Sequence, residues 1–281
     1  MMPANANLYA YIHGQFTPLQ ESFLHISDLS IQRGYGIFDF FKVQGGKPVF
    51  LQDYLERFYE SARLMELTVP VTSDELTAII TQLITKNKLP QSGIKMLLTG
   101  GYSANGYDPG EPNLLLTEQP LVLPEQETIE KGIKIITQEH MREIPRAKTI
   151  NYSMGIRLIN KIKEANASDV LYQQNGVVTE FPRCNFFIVT PDDTIVTPDK
   201  DVLLGVTRKN VLQLAARKYK TETRTVTMAD IAQAKEAFLT STTKRILPIV
   251  QVDDRMIGNG APGKVTKELL ADLITLEQTQ L

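Results

Sequence analysis

The 281-residue chain has no tryptophan and a single cysteine, Cys184. One thiol closes no internal disulfide, which fits a reducing compartment and leaves the apolar core to hold the fold. The three histidines are scattered, and nothing in the sequence has metal-ligand spacing. No apolar run approaches the length of a membrane span, and residues 1–7 are polar and small rather than a basic segment leading into an apolar one. The formal charge of −2 gives no reason to expect nucleic acid or an anionic membrane as partner. These absences describe a cytoplasmic protein without a metal centre.

What is present reads as an α/β protein long enough for two modest domains or one large one. Pro120 and Pro124 interrupt both periodicities. The expected boundary is therefore a linker over 118–130, between a small N-terminal domain, 1–117, and a larger one, 131–281. In the first, 8–12 and the turn at His13-Gly14-Gln15 read as a hairpin, and the aromatic-rich 37–43 as a strand. Apolar residues at spacings of three and four predict a helix over 51–67, and a second runs over 73–87. A strand over 94–99, a Gly-rich loop over 100–109 and a strand over 114–117 complete the unit. The second domain opens with a strand over 132–137 and a loop through Pro145, followed by a helix over 153–166. Strands 169–172 and 177–179 turn on Asn175-Gly176. Strands over 185–189, 194–197, 236–240 and 249–256 follow, with helices from Arg208 to about 219, over 228–233 and over 265–276.

Two side chains stand out for chemistry. Lys148 lies between a buried strand and a helix start, where an amine can be held in a crevice rather than in solvent. Glu180 ends the hairpin that follows, and on its own reads as an ordinary strand-end carboxylate. Gly205-Val206-Thr207 at a helix start offers free N–H groups, the positive dipole end and a hydroxyl to an anion, although the same pattern serves as a simple cap. Arg57 has the fork that suits phosphate, against the plainer reading of a surface pair with Asp53 four residues away. Thr242, in the polar corner Ser241-Thr242-Thr243, is equally open. Cys184 beside Arg183 reads as a small buried thiol before a strand. His25 and His140 have no partner pattern and receive no catalytic role.

Taken together, Arg33-Gly34-Tyr35-Gly36-Ile37-Phe38, Glu56-Arg57-Phe58, Lys148, Val178-Thr179-Glu180, Asn185, Gly205-Val206-Thr207-Arg208, Thr240 to Thr243 and Gly263-Lys264-Val265-Thr266 run in order along nearly the whole chain. In this the chain resembles the class IV aminotransferases, the fold type IV family of pyridoxal phosphate enzymes. The resemblance implies two α/β domains with pyridoxal 5′-phosphate in the interdomain cleft. It makes Lys148 the Schiff-base lysine and Glu180 the partner of the pyridine nitrogen. Arg57, Val206, Thr207, Ser241 and Thr242 then form the phosphate cup, and Phe38 and Tyr152 face the substrate. An amine of this kind condenses with the cofactor aldehyde and, once displaced, moves a proton. A carboxylate beside the pyridine nitrogen keeps it protonated.

The substrate patterns of the better-known subfamilies are not intact. Where branched-chain enzymes carry Tyr-x-Arg, this chain has Gly93-Ile94-Lys95, and the Arg-Gly of the D-alanine type is replaced by Gly100-Gly101. A less typical set of D-amino-acid transaminases is nearer, on Ser27 to Gly36, Leu98 to Tyr107 and Lys148 to Ser153. By that resemblance Arg33 gathers the substrate carboxylate and reaches the neighbouring subunit of a homodimer. Lys95 stands where a second arginine belongs and implies a looser grip, and Arg183 is a further candidate. The expected reaction moves an amino group from a D-amino acid, such as D-alanine or D-glutamate, to a 2-oxo acid. The rivals are an L-branched-chain aminotransferase, an aminodeoxychorismate lyase, and a pyridoxal-phosphate-binding protein without turnover.

Overall fold

The first hairpin closes on His13 and Gly14, both at positive φ, and pairs β1 (Tyr9–Ile12) antiparallel with β2 (Gln15–Pro18). The computed structural model describes residues 8–280, so the polar stretch 1–7 lies outside the described residues. A short helix, α1 (Leu29–Arg33), precedes β3 (Gly36–Gln44). β4 (Lys47–Pro48), α2 (Leu51–Leu64), α3 (Ser73–Asn87), β5 (Gln91–Thr99) and β6 (Leu114–Pro120) follow. The six strands form one sheet in the order β2-β1-β6-β5-β3-β4.

Alternation along β3 and β5 explains the packing of this unit. Ile37, Phe41, Ile94, Met96 and Leu98 are completely buried, whereas Phe38, Phe40, Lys95 and Leu97 point to the other face. α2 packs its apolar stripe on β3, and Phe41 meets Tyr54 at 5.8 Å between ring centres. α3 starts on a capping box in which the Thr72 side chain accepts from the Glu75 N–H while Glu75 accepts from the Thr72 N–H. The helix α1, which aromatic patterning does not reveal, is capped by Asp28.

The second unit contains α4 (Gln126–Lys131), β7 (Ile133–Glu139), α5 (Ser153–Arg157), α6 (Ile159–Glu164), β8 (Asp169–Gln174), β9 (Val177–Val178), β10 (Asn185–Val189) and β11 (Ile195–Thr197). It continues through α7 (Val206–Ala215), β12 (Thr221–Thr223), β13 (Val226–Thr227), α8 (Met228–Gln233), β14 (Glu236–Ser241), β15 (Arg245–Val252), β16 (Arg255–Met256) and α9 (Lys264–Gln278). Its sheet runs β12-β11-β10-β14-β15-β7-β8-β9-β13, with β16 paired to β15. Phe187 and Phe238 stack at 4.9 Å in the core beneath α7 and α9. Asn175 and Gly176, both at positive φ, turn β8 into β9 as predicted.

Three local expectations come out differently. The helix over 153–166 is two short helices, and the first holds Gly155 so close to Pro182 that a Cβ would lie 2.9 Å from its Cβ. The strand over 249–256 starts earlier and is interrupted by a turn at Asp253, whose φ is 51°. Most consequential for the site, Ala147–Asn151 clusters with the chain up to Val122, while Leu123–Arg146 and Tyr152–Thr279 make the second unit. The reason is pairing: Phe38 N–H donates to Lys148 O at 2.9 Å, Ile150 N–H to Gly36 O at 3.1 Å, and Thr149 bridges Ile37.

Candidate active site

Lys148 is fixed by its backbone before its amine is considered. Its carbonyl accepts from β3, its N–H donates to the buried Ser61 Oγ at 3.1 Å, and Ala147 before it is completely buried. Gly36 lets this segment come close, since a Cβ there would lie 2.7 Å from Leu98 O and 3.2 Å from Ile150 Cδ1. The Lys148 ammonium lies over the Phe38 ring, 4.7 Å from its centre. Lys95 approaches the same ring at 5.9 Å.

Arg57 is not the surface residue that its spacing from Asp53 suggests. Its Nε and Nη2 donate to the two oxygens of Asp39 at 2.9 and 2.6 Å, and the Arg57 side chain is 12% exposed. Asp39 is completely buried in β3 and also accepts from the Phe40 N–H. This bidentate pair fixes the guanidinium plane. The only sequence signal for Asp39 is an acid inside an aromatic strand, a position that requires a partner.

In the second unit Glu180 is buried, with its oxygens divided between two donors. Arg142 Nη1 donates to Oε1 at 3.0 Å and the Leu203 N–H to Oε2 at 2.9 Å. Arg142 carried no sequence signal, because 38 residues separate it from Glu180. The Leu203 loop is set by Asn185, whose amide donates to Leu203 O at 2.7 Å. It leads to Gly205, the N-cap of α7, where no side chain makes a capping hydrogen bond. Val206 and Thr207 occupy the first turn, where N–H groups have no helical acceptor. Arg208 turns inward, donating to Pro198 O at 3.0 Å.

Ser241 ends β14, and its Oγ accepts from the Lys244 N–H. Thr242 follows in the turn, partly buried, and the preceding Thr240 buries a hydroxyl with no hydrogen-bond partner. Tyr152 and Arg183 come together on one cavity of about 360 Å³, which Ile156, Ile159 and Pro182 also line. Arg33 is exposed at the end of α1 and donates to Gln32 O. Cys184 is buried, and burial pushes its thiol upward against the smaller pull of Lys244. His140 is pushed down, first by burial and then by Arg142. Among the described residues no cluster of His, Cys, Asp and Glu is arranged to hold a metal.

A family model for class IV amino-transferases matches residues 36–252, and the chain belongs to that family. It is therefore a pyridoxal-phosphate-dependent aminotransferase. A D-alanine aminotransferase of Bacillus licheniformis is 27% identical over 263 residues, covering 92% of this chain and 93% of that protein. A putative branched-chain-amino-acid aminotransferase of Methanocaldococcus jannaschii is 27% identical over 274 residues, with the same shares covered. Among solved structures, a branched-chain amino acid aminotransferase of Escherichia coli superposes with a TM-score of 0.90. It is 21% identical and the match covers 98% of this chain and 96% of that one, a likeness of fold.

The residues present suit the cofactor. Lys148 supplies a positioned amine and Glu180 a buried, hydrogen-bonded carboxylate. The α7 start supplies N–H donors over a glycine with no side chain in the way. A Cβ at Gly205 would lie 2.1 Å from Asn185 Oδ1, so this end of the helix is built around a residue without one.

Proposed function

We propose that this chain is a D-amino-acid transaminase that moves an amino group from D-alanine or D-glutamate to a 2-oxo acid. The observation that carries this reading is the pair of ammonium groups, Lys148 and Lys95, on the one ring of Phe38. Lys148, as the free amine, would condense with the cofactor aldehyde, and Lys95 would meet the substrate carboxylate as a cation. The equal 27% identity to a D-alanine and to a branched-chain relative supports amino-acid transamination, and the choice of enantiomer is put to the test below.

Bound pyridoxal phosphate supplies an aldehyde that takes up the amino group and a ring that draws electrons from the substrate carbon. Lys148 Nζ, as the free amine, would take the proton from that carbon and deliver it to the cofactor carbon that carries the transferred nitrogen. Glu180, held by Arg142 and the Leu203 N–H, presents its charge to the ring nitrogen. Val206, Thr207, Ser241, Thr242 and Arg57 hold the phosphate, through backbone N–H groups, hydroxyls and a fixed guanidinium. Lys95 takes the substrate carboxylate as a point charge, without the two-pronged grip of arginine. Tyr152 and Arg183 border the substrate from their shared cavity. The working enzyme is a cytoplasmic homodimer in which Arg33 serves the neighbouring copy.

The test is an absorbance titration of the cofactor-loaded protein with D-alanine, D-glutamate, L-leucine and L-glutamate, with Lys148→Ala as control. Conversion of the bound cofactor to its amine form by the D-amino acids alone is the expected result. Conversion by L-leucine alone would make the protein a branched-chain enzyme. Silence toward all four, with pyruvate release from aminodeoxychorismate, would make it a lyase.

A further inference from the structure

Gly93 lies in the middle of β5, a central strand, and the ring of Phe40 lies directly on it. A Cβ at position 93 would be 2.0 Å from Phe40 Cζ, 2.6 Å from Cε2 and 2.8 Å from Cε1. No side chain other than hydrogen is compatible with that ring position, and a strand interior gains nothing else from glycine. The register shows which way the ring leans. Phe40 pairs with Lys95, Phe38 with Leu97 and Lys42 with Gly93. By covering Gly93, Phe40 therefore leans diagonally along the sheet, away from Phe38 and Leu97.

This tilt decides where Lys95 goes. With Phe40 lowered onto Gly93, the Lys95 side chain turns the opposite way and brings its ammonium to 5.9 Å from the centre of the Phe38 ring. Lys148 occupies the same ring at 4.7 Å. A cation over the ring face is attracted by its quadrupole, which holds the Lys95 ammonium there. Lys95 is exposed, and among the described residues no acid pairs with it, so its ammonium beside Phe38 is open to an incoming carboxylate.

We propose that Phe40 is a specificity-determining residue: resting on Gly93, it sets Lys95 against Phe38 to receive an amino acid's carboxylate, and its own ring carries an apolar substrate side chain. This rests on the transaminase reading and narrows it. A second carboxylate laid on the apolar Phe40 ring would lose water there, so D-alanine is preferred to D-glutamate. Phe40 acts through the placement of Lys95 and through contact with the side chain, and takes no part in proton transfer.

The test uses the cofactor-loaded enzyme with Gly93→Ala, Phe40→Leu and Lys95→Met. Steady-state constants for D-alanine and D-glutamate are measured together with the calorimetric dissociation constant of butyrate, an unreactive carboxylate with an apolar chain. Gly93→Ala lifts the Phe40 ring, so KM for D-alanine and the butyrate constant both rise about tenfold while kcat changes less than about twofold. Phe40→Leu, which keeps Gly93 and needs no rearrangement of the strand, weakens butyrate and narrows the gap between the two substrates. Lys95→Met abolishes butyrate binding. Unchanged butyrate binding in Phe40→Leu, or preference for D-glutamate by the unaltered enzyme, overturns the proposal. If no D-amino acid reacts but butyrate responds to the three variants as described, the D-amino-acid reading fails and the role of Phe40 in carboxylate placement stands.

Discussion

At the scale of single residues, the site rests on charges that are paired before any ligand arrives. Arg57 with Asp39 and Arg142 with Glu180 each place one guanidinium against one buried carboxylate. Breaking such a pair from one side leaves a charge where water cannot reach it. Arg142→Met is therefore expected to cost about 3 kcal/mol or more in stability, read as a lowered urea midpoint with unchanged slope. An unchanged midpoint would mean that Glu180 does not depend on that partner. Neither pair could be read along the chain, because their members lie 18 and 38 residues apart and nothing local ties them together. The residues proposed to react stand out in the sequence for the opposite reason: Lys148 lies in the loop between β7 and α5 and Glu180 just after β9, and the motifs around them fall in a recognisable order.

At the scale of elements, several motifs that look functional in the sequence also do structural work. Asp28 of the Ser-Asp-Leu-Ser-Ile stretch caps α1 and accepts from Thr99 Oγ1 at 2.7 Å and Asn113 Nδ2 at 2.8 Å. Gly263-Lys264-Val265-Thr266 starts α9, whose first N–H groups donate to the buried Glu236 from β14, and a Cβ at Gly263 would lie 2.0 Å from that carboxyl carbon. The α7 start is built the same way around Gly205 and Asn185, but with its N-cap left without a side-chain acceptor. Gly205→Val is expected to raise the dissociation constant for pyridoxal 5′-phosphate at least about tenfold, measured by equilibrium dialysis, because the helix end must move to admit the branch. Adding Asn185→Ala should recover part of that loss. Retention of full affinity in the single variant would separate this helix end from phosphate binding. The hairpin at Asn175-Gly176 was legible because its turn is written in two residues. The break between α5 and α6 at Leu158 was not, since the apolar spacing runs through it without a proline or glycine.

At the scale of the whole molecule, one buried acid contributes to how stability follows pH. Glu118 is 1% exposed; its Oε1 accepts from Ser92 Oγ, and burial pushes its pKa above the ordinary 4.5 against the smaller pulls of Ser92 and Asn87. The folded protein therefore keeps a proton there that the unfolded chain releases. The resulting stability is complete below 4.5 and is lost as pH rises through the raised folded value. Glu118→Gln, which carries no ionisable proton, should melt higher than the unaltered protein at about pH 8 and gain little at about pH 4, by scanning calorimetry. Equal shifts at both values would rule out the linkage. The large-scale plan was partly legible too: two sheets and their helices follow from periodicity and proline breaks, whereas the return of Ala147–Asn151 to the first unit depends on long-range pairing with β3. That return has a bearing on synthesis. A ribosome that has released the chain as far as Val122 has delivered Phe38, Phe40 and Lys95, and Lys148 arrives only after the second unit has begun to emerge. A nascent chain thus holds all six strands of its first sheet before the returning segment that pairs with β3 exists.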